Sequence, residues 1–132
     1  MRPKNLSVLL ANGQYPEHKY PLQILKEAKH IVCLDGAVNK LTENHLNPDI
    51  IIGDMDSINS KFREKYSDII IEKKSQDEND LRKALKWLDQ NRYSHITILG
   101  ATGLRDDHSI ANIFCILDQI LAYVKFISVK HL

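Results

Sequence analysis

The stretch Ile50-Ile51-Ile52-Gly53-Asp54-Met55-Asp56-Ser57 has three consecutive β-branched residues, then a glycine, and then two closely spaced carboxylates. Apolar side chains on consecutive positions, rather than on alternating ones, are typical of a strand that is covered on both faces. Such strands belong to parallel sheets, whose strands are joined by helical crossovers. The stretch therefore predicts a buried parallel strand, with Asp54 and Asp56 just beyond its carboxyl end.

Apolar runs of this kind alternate along the chain with segments that have a 3.6-residue apolar period. We predict strands at Ser7–Ala11, His30–Leu34, Ile50–Ile52, Ile69–Glu72, His95–Leu99 and Val124–Val129. We predict helices at Pro21–Lys29, Ala37–Glu43 and Ser60–Tyr66, and two more from the apolar stripes that begin at Leu81 and Ile110. This alternation predicts an α/β fold, a doubly wound and mainly parallel sheet of about six strands with helices on both faces.

Length and composition narrow the class of protein. The 132 residues suffice for one domain with a core, so we expect a single α/β domain over residues 1–132. The net charge of +1 favours neither nucleic acid nor an acidic membrane as a partner. Cys33 and Cys115 lie in apolar segments and are expected to be buried thiols. The first five residues lack the apolar segment of a signal peptide, so we expect a cytoplasmic protein.

Acidic residues follow several of the predicted strands, and this pattern points to function. The carboxyl ends of parallel strands form one edge of a sheet, so side chains that follow different strands are expected to meet there. Like charges held close together repel each other unless a cation neutralises them. The pattern therefore predicts a site for Mg²⁺ and a nucleotide phosphate at this edge. The charged residues concerned are Asp35, Asp54, Asp56, Asp77, Asp80, Arg105 and Asp107.

Each of these motifs also has a purely structural explanation. Asp56, Ser57 or Asp107 could cap a helix, and the segment Ser75-Gln76-Asp77-Glu78 has the pattern of a capping box. The loop Gly100-Ala101-Thr102-Gly103 could cradle an anion at a helix start, although it is neither a P-loop nor a full dinucleotide-binding motif. His108 could bond a phosphate or simply lie in the first helical turn.

Taken together, the motifs resemble the catalytic domain of thiamine pyrophosphokinase. The matching segments are Asp35-Gly36-Ala37, the stretch from Pro48 to Ser57, Gln76-Asp77-Glu78-Asn79-Asp80-Leu81 with Lys83-Ala84-Leu85, and the segment from Gly100 to His108 with Asn112. Their order and spacing fit along nearly the whole chain. The chain departs from the family's usual residues at Ser75, Asn79 and Leu104.

The resemblance implies a Mg²⁺-dependent transfer of a pyrophosphoryl group from ATP to thiamine, giving AMP and thiamine diphosphate. It implies metal binding by Asp54, Asp56 and Asp80, and catalytic roles for Asp54, Asp80, Arg105 and Asp107. We assign nucleotide binding to Asp35, Gly36, Ser57, Gln76, Gly100, Thr102, Arg105 and His108. Either Asp107 or Asp80 would orient the thiamine hydroxyl or accept its proton.

The resemblance also implies a second, C-terminal β-sandwich domain that helps to bind thiamine, and a homodimer in the full-length protein. That second domain is not found in this sequence, so we expect an excised ATP-binding domain with weak activity towards thiamine. Three alternatives stay open at this point. One is a non-catalytic module that binds Mg–nucleotide, the second is a signalling receiver domain with an acidic pocket, and the third is a metal-dependent phosphatase with Asp54 as its nucleophile.

Overall fold

The computed structural model describes residues 7–74, 80–93 and 96–102. The elements in these ranges are, in chain order, β1 (Ser7–Leu10), α1 (Lys19–Glu27), β2 (His30–Leu34), α2 (Ala37–Glu43), β3 (Ile50–Gly53), α3 (Ser60–Lys65), a 3₁₀ turn (Ser67–Ile69), β4 (Ile70–Glu72), α4 (Asp80–Gln90) and β5 (Ile96–Leu99). The predicted strand Val124–Val129 and the predicted helix that begins at Ile110 lie outside the described residues.

The strands form one sheet in which every paired neighbour is parallel, in the order β4-β3-β2-β1-β5. The strand order reverses at β1, since Leu9 pairs with Val32 of β2 on one side and with Ile98 of β5 on the other. The sheet thus grows in one direction from β1 to β4 and then resumes on the opposite side of β1. This is the doubly wound α/β topology that the sequence predicts.

Helices cover both faces of this sheet. α1, α2 and α3 lie on one face, where Leu25, Leu41 and Phe62 pack against the sheet. α4 lies on the other face, where Leu81, Ala84 and Leu88 pack against inward side chains of β1, β2 and β3. Burying each large aliphatic side chain contributes about 1.5–3 kcal/mol before entropy is counted, so these two layers hold the sheet edge in a fixed position. Cys33 is a buried free thiol within the first layer, as predicted.

Several predicted boundaries are shifted by one or two residues in the structure, and two of these shifts have a clear local reason. α1 begins two residues before Pro21, because a proline in the first turn gives up no helical hydrogen bond. The first backbone bond of this helix runs from the Leu22 amide to the His18 carbonyl, past the proline. Ile69 belongs to the 3₁₀ turn, so β4 starts one residue later than predicted.

Within the described ranges, no helix has the length and apolar character needed to cross a membrane.

Candidate functional site

Three carboxylates meet at the carboxyl edge of the sheet. Asp35 directly follows β2, Asp54 directly follows β3, and Asp80 is the first residue of α4. One oxygen from each side chain lies within 4.8 Å of the others, which makes this the group of described residues that could hold a metal ion. We call Asp35, Asp54 and Asp80 the acid cluster. Its existence agrees with the prediction that acids which follow different strands meet at one edge.

The backbone bends sharply around the acid cluster to bring these side chains together. Asp35 and Met55 have φ values of 43° and 67°, in the left-handed region that side chains other than glycine rarely adopt. Gly53 has a φ of 149°, and a Cβ atom there would lie 3.2 Å from the Cβ of Asp35 and 3.5 Å from Oδ2 of Asp80. A glycine at this position therefore lets the loops after β2 and β3 and the start of α4 approach one another.

Asp35 is the most deeply placed member of the acid cluster, with 3% of its surface exposed. Its two carboxylate oxygens accept from the Ser57 amide at 3.1 and 3.2 Å, which ties the loop after β3 to the loop after β2. Burial, together with the neighbouring Asp54 carboxylate, raises the pKa of Asp35 from 3.8 to about 7. Near neutral pH this group is therefore held between its two charge states, and a bound cation would favour the ionised one.

Asp54 and Asp80 have pKa values displaced in opposite directions. Burial opposes ionisation of Asp54, but hydrogen bonds, foremost from the Asp56 amide at 3.1 Å, outweigh it and lower the pKa. Burial and the charge of Asp54 raise the pKa of Asp80, against the opposing effect of Lys83. Asp54 is thus the member of the acid cluster that most readily carries a negative charge, as a ligand for a divalent cation must.

Asp56 is placed differently from what an extended chain would give. If β3 continued straight, Asp54 and Asp56 would point to the same side, but the left-handed backbone of Met55 turns the chain. Asp56 is solvent-exposed and contacts Asp54 through its backbone amide. Asp35 takes the third place in the acid cluster instead, and metal binding by Asp56 stays a prediction.

Two residues that sequence reasoning gave no role support this edge. Asn39 of α2 donates to the Ser57 carbonyl and accepts from the Asn59 amide, both at 3.1 Å, so it fastens the loop after β3 at two points. Lys83 of α4 places its ammonium 3.4 Å from Oδ1 of Asp80. The spacing of an acid and a lysine three positions apart on a helix was the available signal for Lys83.

The loops after β1 and β5 lie at the same edge of the sheet, next to each other. We call residues 11–14 and 100–102 the glycine loops. The amides of Gly13 and Gln14 donate to the carbonyls of Gly100 and Thr102 at 2.7 and 2.9 Å. The predicted nucleotide-binding residues Gly100 and Thr102 therefore belong to a pair of loops joined by backbone hydrogen bonds. This pair marks the point where the strand order reverses, the usual ligand crevice of such sheets.

The remaining predicted residues have mixed positions. Gly36 precedes α2 and lies against Ser57, since a Cβ atom at Gly36 would come within 2.8 Å of the Ser57 carbonyl oxygen. Gln76, Asp77, Arg105, Asp107 and His108 lie outside the described residues. The described part of the site therefore consists of the acid cluster, its supporting loop from residue 54 to residue 59, and the glycine loops.

Chemically, the acid cluster offers hard carboxylate oxygens in a partly buried setting. Mg²⁺ binds through one or two carboxylates and keeps open positions for water and phosphate oxygens. Asp54 and Asp80 are half-buried, so a cation held by them would remain accessible to a ligand. The arrangement fits a hard divalent cation better than a soft one, because its ligands are carboxylate oxygens. The thiol of Cys33, a soft ligand, is buried in the core layer that packs against α1, α2 and α3.

Comparison with known proteins identifies the family. The family model for the catalytic domain of thiamin pyrophosphokinase matches residues 22–126. The chain belongs to the thiamin pyrophosphokinase family.

Relatives and solved structures agree with this assignment. Thiamine pyrophosphokinase 1 of Oryza sativa subsp. japonica is 30% identical over 81% of this chain and 49% of its own length. Thiamin pyrophosphokinase from Candida albicans is 25% identical, with a TM-score of 0.62 over 83% of this chain and 53% of the other. Thiamin pyrophosphokinase from Geobacillus thermodenitrificans has the same fold, with a TM-score of 0.68 at 24% identity over 86% of this chain and 54% of the other.

The match to the thiamin pyrophosphokinase family covers all three members of the acid cluster as well as Asn39 and Lys83. The resemblance stated from the sequence motifs is thereby confirmed. The chain spans about half the length of the curated relatives that it matches, for example 49% of the rice protein.

Proposed function

We propose that this chain carries the Mg²⁺- and ATP-binding part of a thiamin pyrophosphokinase. The proposed reaction moves the pyrophosphoryl group of ATP to the hydroxyl oxygen of thiamine, which releases AMP and forms thiamine diphosphate. The observation that carries the proposal is the convergence of Asp35, Asp54 and Asp80 from three successive connections of the sheet, in a member of this family. Three separate helix caps would have no reason to bring their carboxylates within 4.8 Å.

The acid cluster would hold the cation through Asp54 and Asp80, with Asp35 behind them. A bound Mg²⁺ neutralises charge on the phosphate oxygens during transfer. Asp54 is kept ionised by the Asp56 amide, so it is ready to bind a cation without first losing a proton. Asp35 orients the loop that carries Asp54 by accepting from the Ser57 amide. Asp56, two residues after Asp54, is retained as a further proposed ligand on the strength of the family resemblance.

The nucleotide is proposed to lie along the sheet edge, between the acid cluster and the glycine loops. Asp35, Gly36 and Ser57 would border it on one side, and Gly100 and Thr102 on the other. Gln76, Arg105 and His108 are proposed to contact it on the strength of the family resemblance alone. Arg105 would neutralise phosphate charge, and Asp107 or Asp80 would accept the proton of the thiamine hydroxyl.

Thiamine binding is a separate proposal, because the relatives are about twice as long as the part that matches. We propose that efficient transfer to thiamine, and the predicted homodimer, depend on the other half of the family's length. The 132-residue chain is then expected to bind Mg–ATP more readily than it forms thiamine diphosphate.

Calorimetry with ATP, in Mg²⁺ and in EDTA, tests the metal-dependent part of the proposal. We expect nucleotide binding that requires Mg²⁺ and that weakens at least about tenfold in D54N. D68N is the matched control, because Asp68 is an exposed acid in the 3₁₀ turn away from the acid cluster. Binding that ignores both EDTA and D54N would contradict the proposal.

Product analysis tests the reaction itself. The chain is incubated with ATP, Mg²⁺ and thiamine, and the nucleotides and thiamine esters are separated by chromatography. AMP and thiamine diphosphate in equal amounts support the proposed transfer. Nucleotide binding without AMP would leave a binding module, and inorganic phosphate released through a phosphoenzyme on Asp54 would favour the phosphatase alternative.

A further inference from the structure

Lys83 is a buried lysine, a placement that proteins rarely adopt without a paired charge. Its side chain is 6% exposed, and its ammonium lies 3.4 Å from a carboxylate oxygen of Asp80. The chain has a second acid–lysine pair with the same spacing of three residues, Lys40 and Glu43, whose side chains are 65% and 62% exposed. The two pairs therefore share a spacing of three residues, in opposite order along the helix, but differ in burial.

The second contact of Lys83 joins the two ends of the connection between β4 and α4. Its ammonium donates to the Lys73 carbonyl at 3.0 Å, and the Lys73 amide in turn donates to the Gly53 carbonyl at 2.7 Å. Asp80 stands at the far end of the same connection. Lys83 thus fixes the start of α4 relative to the exit of β4, and with it the position of Asp80 in the acid cluster.

The charge of Lys83 has a consequence that its hydrogen bonds alone do not have. The three carboxylates of the acid cluster, one ammonium and one divalent cation together carry no net charge. A trivalent cation would leave an excess positive charge in a partly buried place, and a monovalent cation an excess negative one. Asp56 is not counted here, because its side chain is exposed and lies outside the acid cluster. If it also bound the ion, the total would be one unit more negative, but the charge of Lys83 would still oppose a more highly charged ion.

We propose that Lys83 is a positioning residue that matches the acid cluster to a single divalent cation. This rests on the proposed metal site. Because the lysine is buried and its ammonium is engaged by Asp80 and Lys73, it would act from the protein side of the acid cluster rather than as a ligand for phosphate or thiamine. It holds Asp80 in place and supplies a fixed positive charge that a more highly charged ion must oppose.

Binding of Ca²⁺ and La³⁺ to the 132-residue chain, measured by calorimetry, tests this directly. The two ions are similar in size and differ in charge. Any displacement of Asp80 in K83M weakens both ions, whereas loss of the ammonium favours La³⁺ over Ca²⁺. We expect the ratio of La³⁺ to Ca²⁺ affinity to rise by about tenfold in K83M, the effect of one unit charge at short range in a partly wet site. In K83R, which keeps the charge, the ratio should stay near that of the unaltered chain.

The matched control is K40M, which removes the exposed lysine of the other pair and should leave the ratio unchanged. Should K83M fail to fold, as judged by circular dichroism, K83Q removes the charge while keeping a donor for the Lys73 carbonyl. A ratio that is the same in K83M, K83Q and the unaltered chain would overturn the proposal and leave Lys83 a structural link. An unaltered chain that binds neither ion would overturn the metal site and the role of Lys83 together.

Discussion

The acid cluster and the glycine loops lie on the same edge of one sheet, but their structures are constrained by different interactions. In the acid cluster, one oxygen from each of three carboxylates lies within 4.8 Å of the others, so electrostatic repulsion is the main constraint. In the glycine loops, a Cβ atom at Gly13 would lie 2.3 Å from the Gly100 carbonyl oxygen and 2.6 Å from that of Thr102, so steric contact is the main constraint. Backbone amides of one glycine loop donate hydrogen bonds to carbonyls of the other. The acid cluster, in contrast, has a repulsion between carboxylates that a bound cation would relieve.

This contrast indicates that the two regions of the sheet edge respond differently to pH and to a bound cation. Tightly joined backbones give a rigid border whose shape does not depend on pH or on a cation. A group of carboxylates responds to both, and its stability reports directly on what is bound. Substitutions in the two regions should therefore differ in size and, above all, in their dependence on Mg²⁺.

The largest effect is expected from filling the space between the glycine loops. G13V would push a branched side chain against two backbone carbonyls that cannot turn away, so we expect a loss of about 3 kcal/mol in the free energy of unfolding. The loss should be the same with and without Mg²⁺. Urea denaturation followed by circular dichroism measures it.

Q14A provides the control for this substitution, because Gln14 is exposed and the hydrogen bond from its backbone amide to the Thr102 carbonyl is retained. It should change the free energy of unfolding by no more than about 0.5 kcal/mol. If G13V were equally mild, the glycine loops would separate easily, and the contrast between a rigid border and a responsive one would be wrong.

The next effect should have the opposite sign. D35N removes one charge from the acid cluster while its amide oxygen can still accept from the Ser57 amide. In EDTA at about pH 8 we expect the variant to be more stable than the unaltered chain by about 2 kcal/mol, because a buried carboxylate no longer opposes Asp54 and Asp80. Added Mg²⁺ should narrow this difference, since it stabilises the unaltered acid cluster more than the variant, which has one negative charge fewer beside the cation. Thermal unfolding with and without Mg²⁺ gives both numbers, and a variant less stable in EDTA would show that repulsion does not dominate there.

The sequence predicted the fold well because hydrophobic patterning determines it. The bounds of β2 and α2, His30–Leu34 and Ala37–Glu43, agree with their predictions. β2 is a nearly continuous apolar run, and the apolar residues of α2 recur on one helical face. The sequence also placed Asp35, Asp54 and Asp80 at one edge, because that follows from the direction of parallel strands.

The sequence could not decide which acids converge. That choice depends on the left-handed backbone of Asp35 and Met55, which non-glycine residues adopt only under the constraint of their surroundings. The same is true of Lys83, whose burial follows from the way in which α4 packs rather than from any local pattern. Site details of this kind arise from loop conformation and helix packing, which a periodic pattern does not encode.

A change of one pH unit should have a smaller effect than these substitutions. The pKa of Asp35 is about 7 in the folded chain against 3.8 as its ordinary value, so between these values the folded state keeps a proton that the unfolded state has lost. Stability in EDTA should therefore fall as pH rises through this window, by about 1 kcal/mol per pH unit near its middle. Asp80 acts in the same direction, and the lowered pKa of Asp54 acts only below the window.

Melting temperatures of the unaltered chain and D35N, compared from about pH 5 to pH 7 in EDTA, check the pH prediction. The difference between the two should grow with pH, because only the unaltered chain has the Asp35 carboxyl to titrate. A constant difference would mean that Asp35 ionises as readily in the folded chain as in the unfolded one.

The smallest effect should come from an ion pair at the same end of the sheet but outside the acid cluster. Arg63 lies 3.3 Å from Glu72 at the end of β4, with their side chains 48% and 30% exposed. Exposed pairs contribute little, since solvent screens them and ordering two long side chains costs entropy. A double-mutant cycle of R63A and E72A should give a coupling below about 0.5 kcal/mol, with or without Mg²⁺. A coupling energy that changed with Mg²⁺ would show that the region that responds to Mg²⁺ extends from the acid cluster to the edge strand β4. A coupling energy that did not change would place the boundary of that region between Gly53 of β3 and Glu72 of β4.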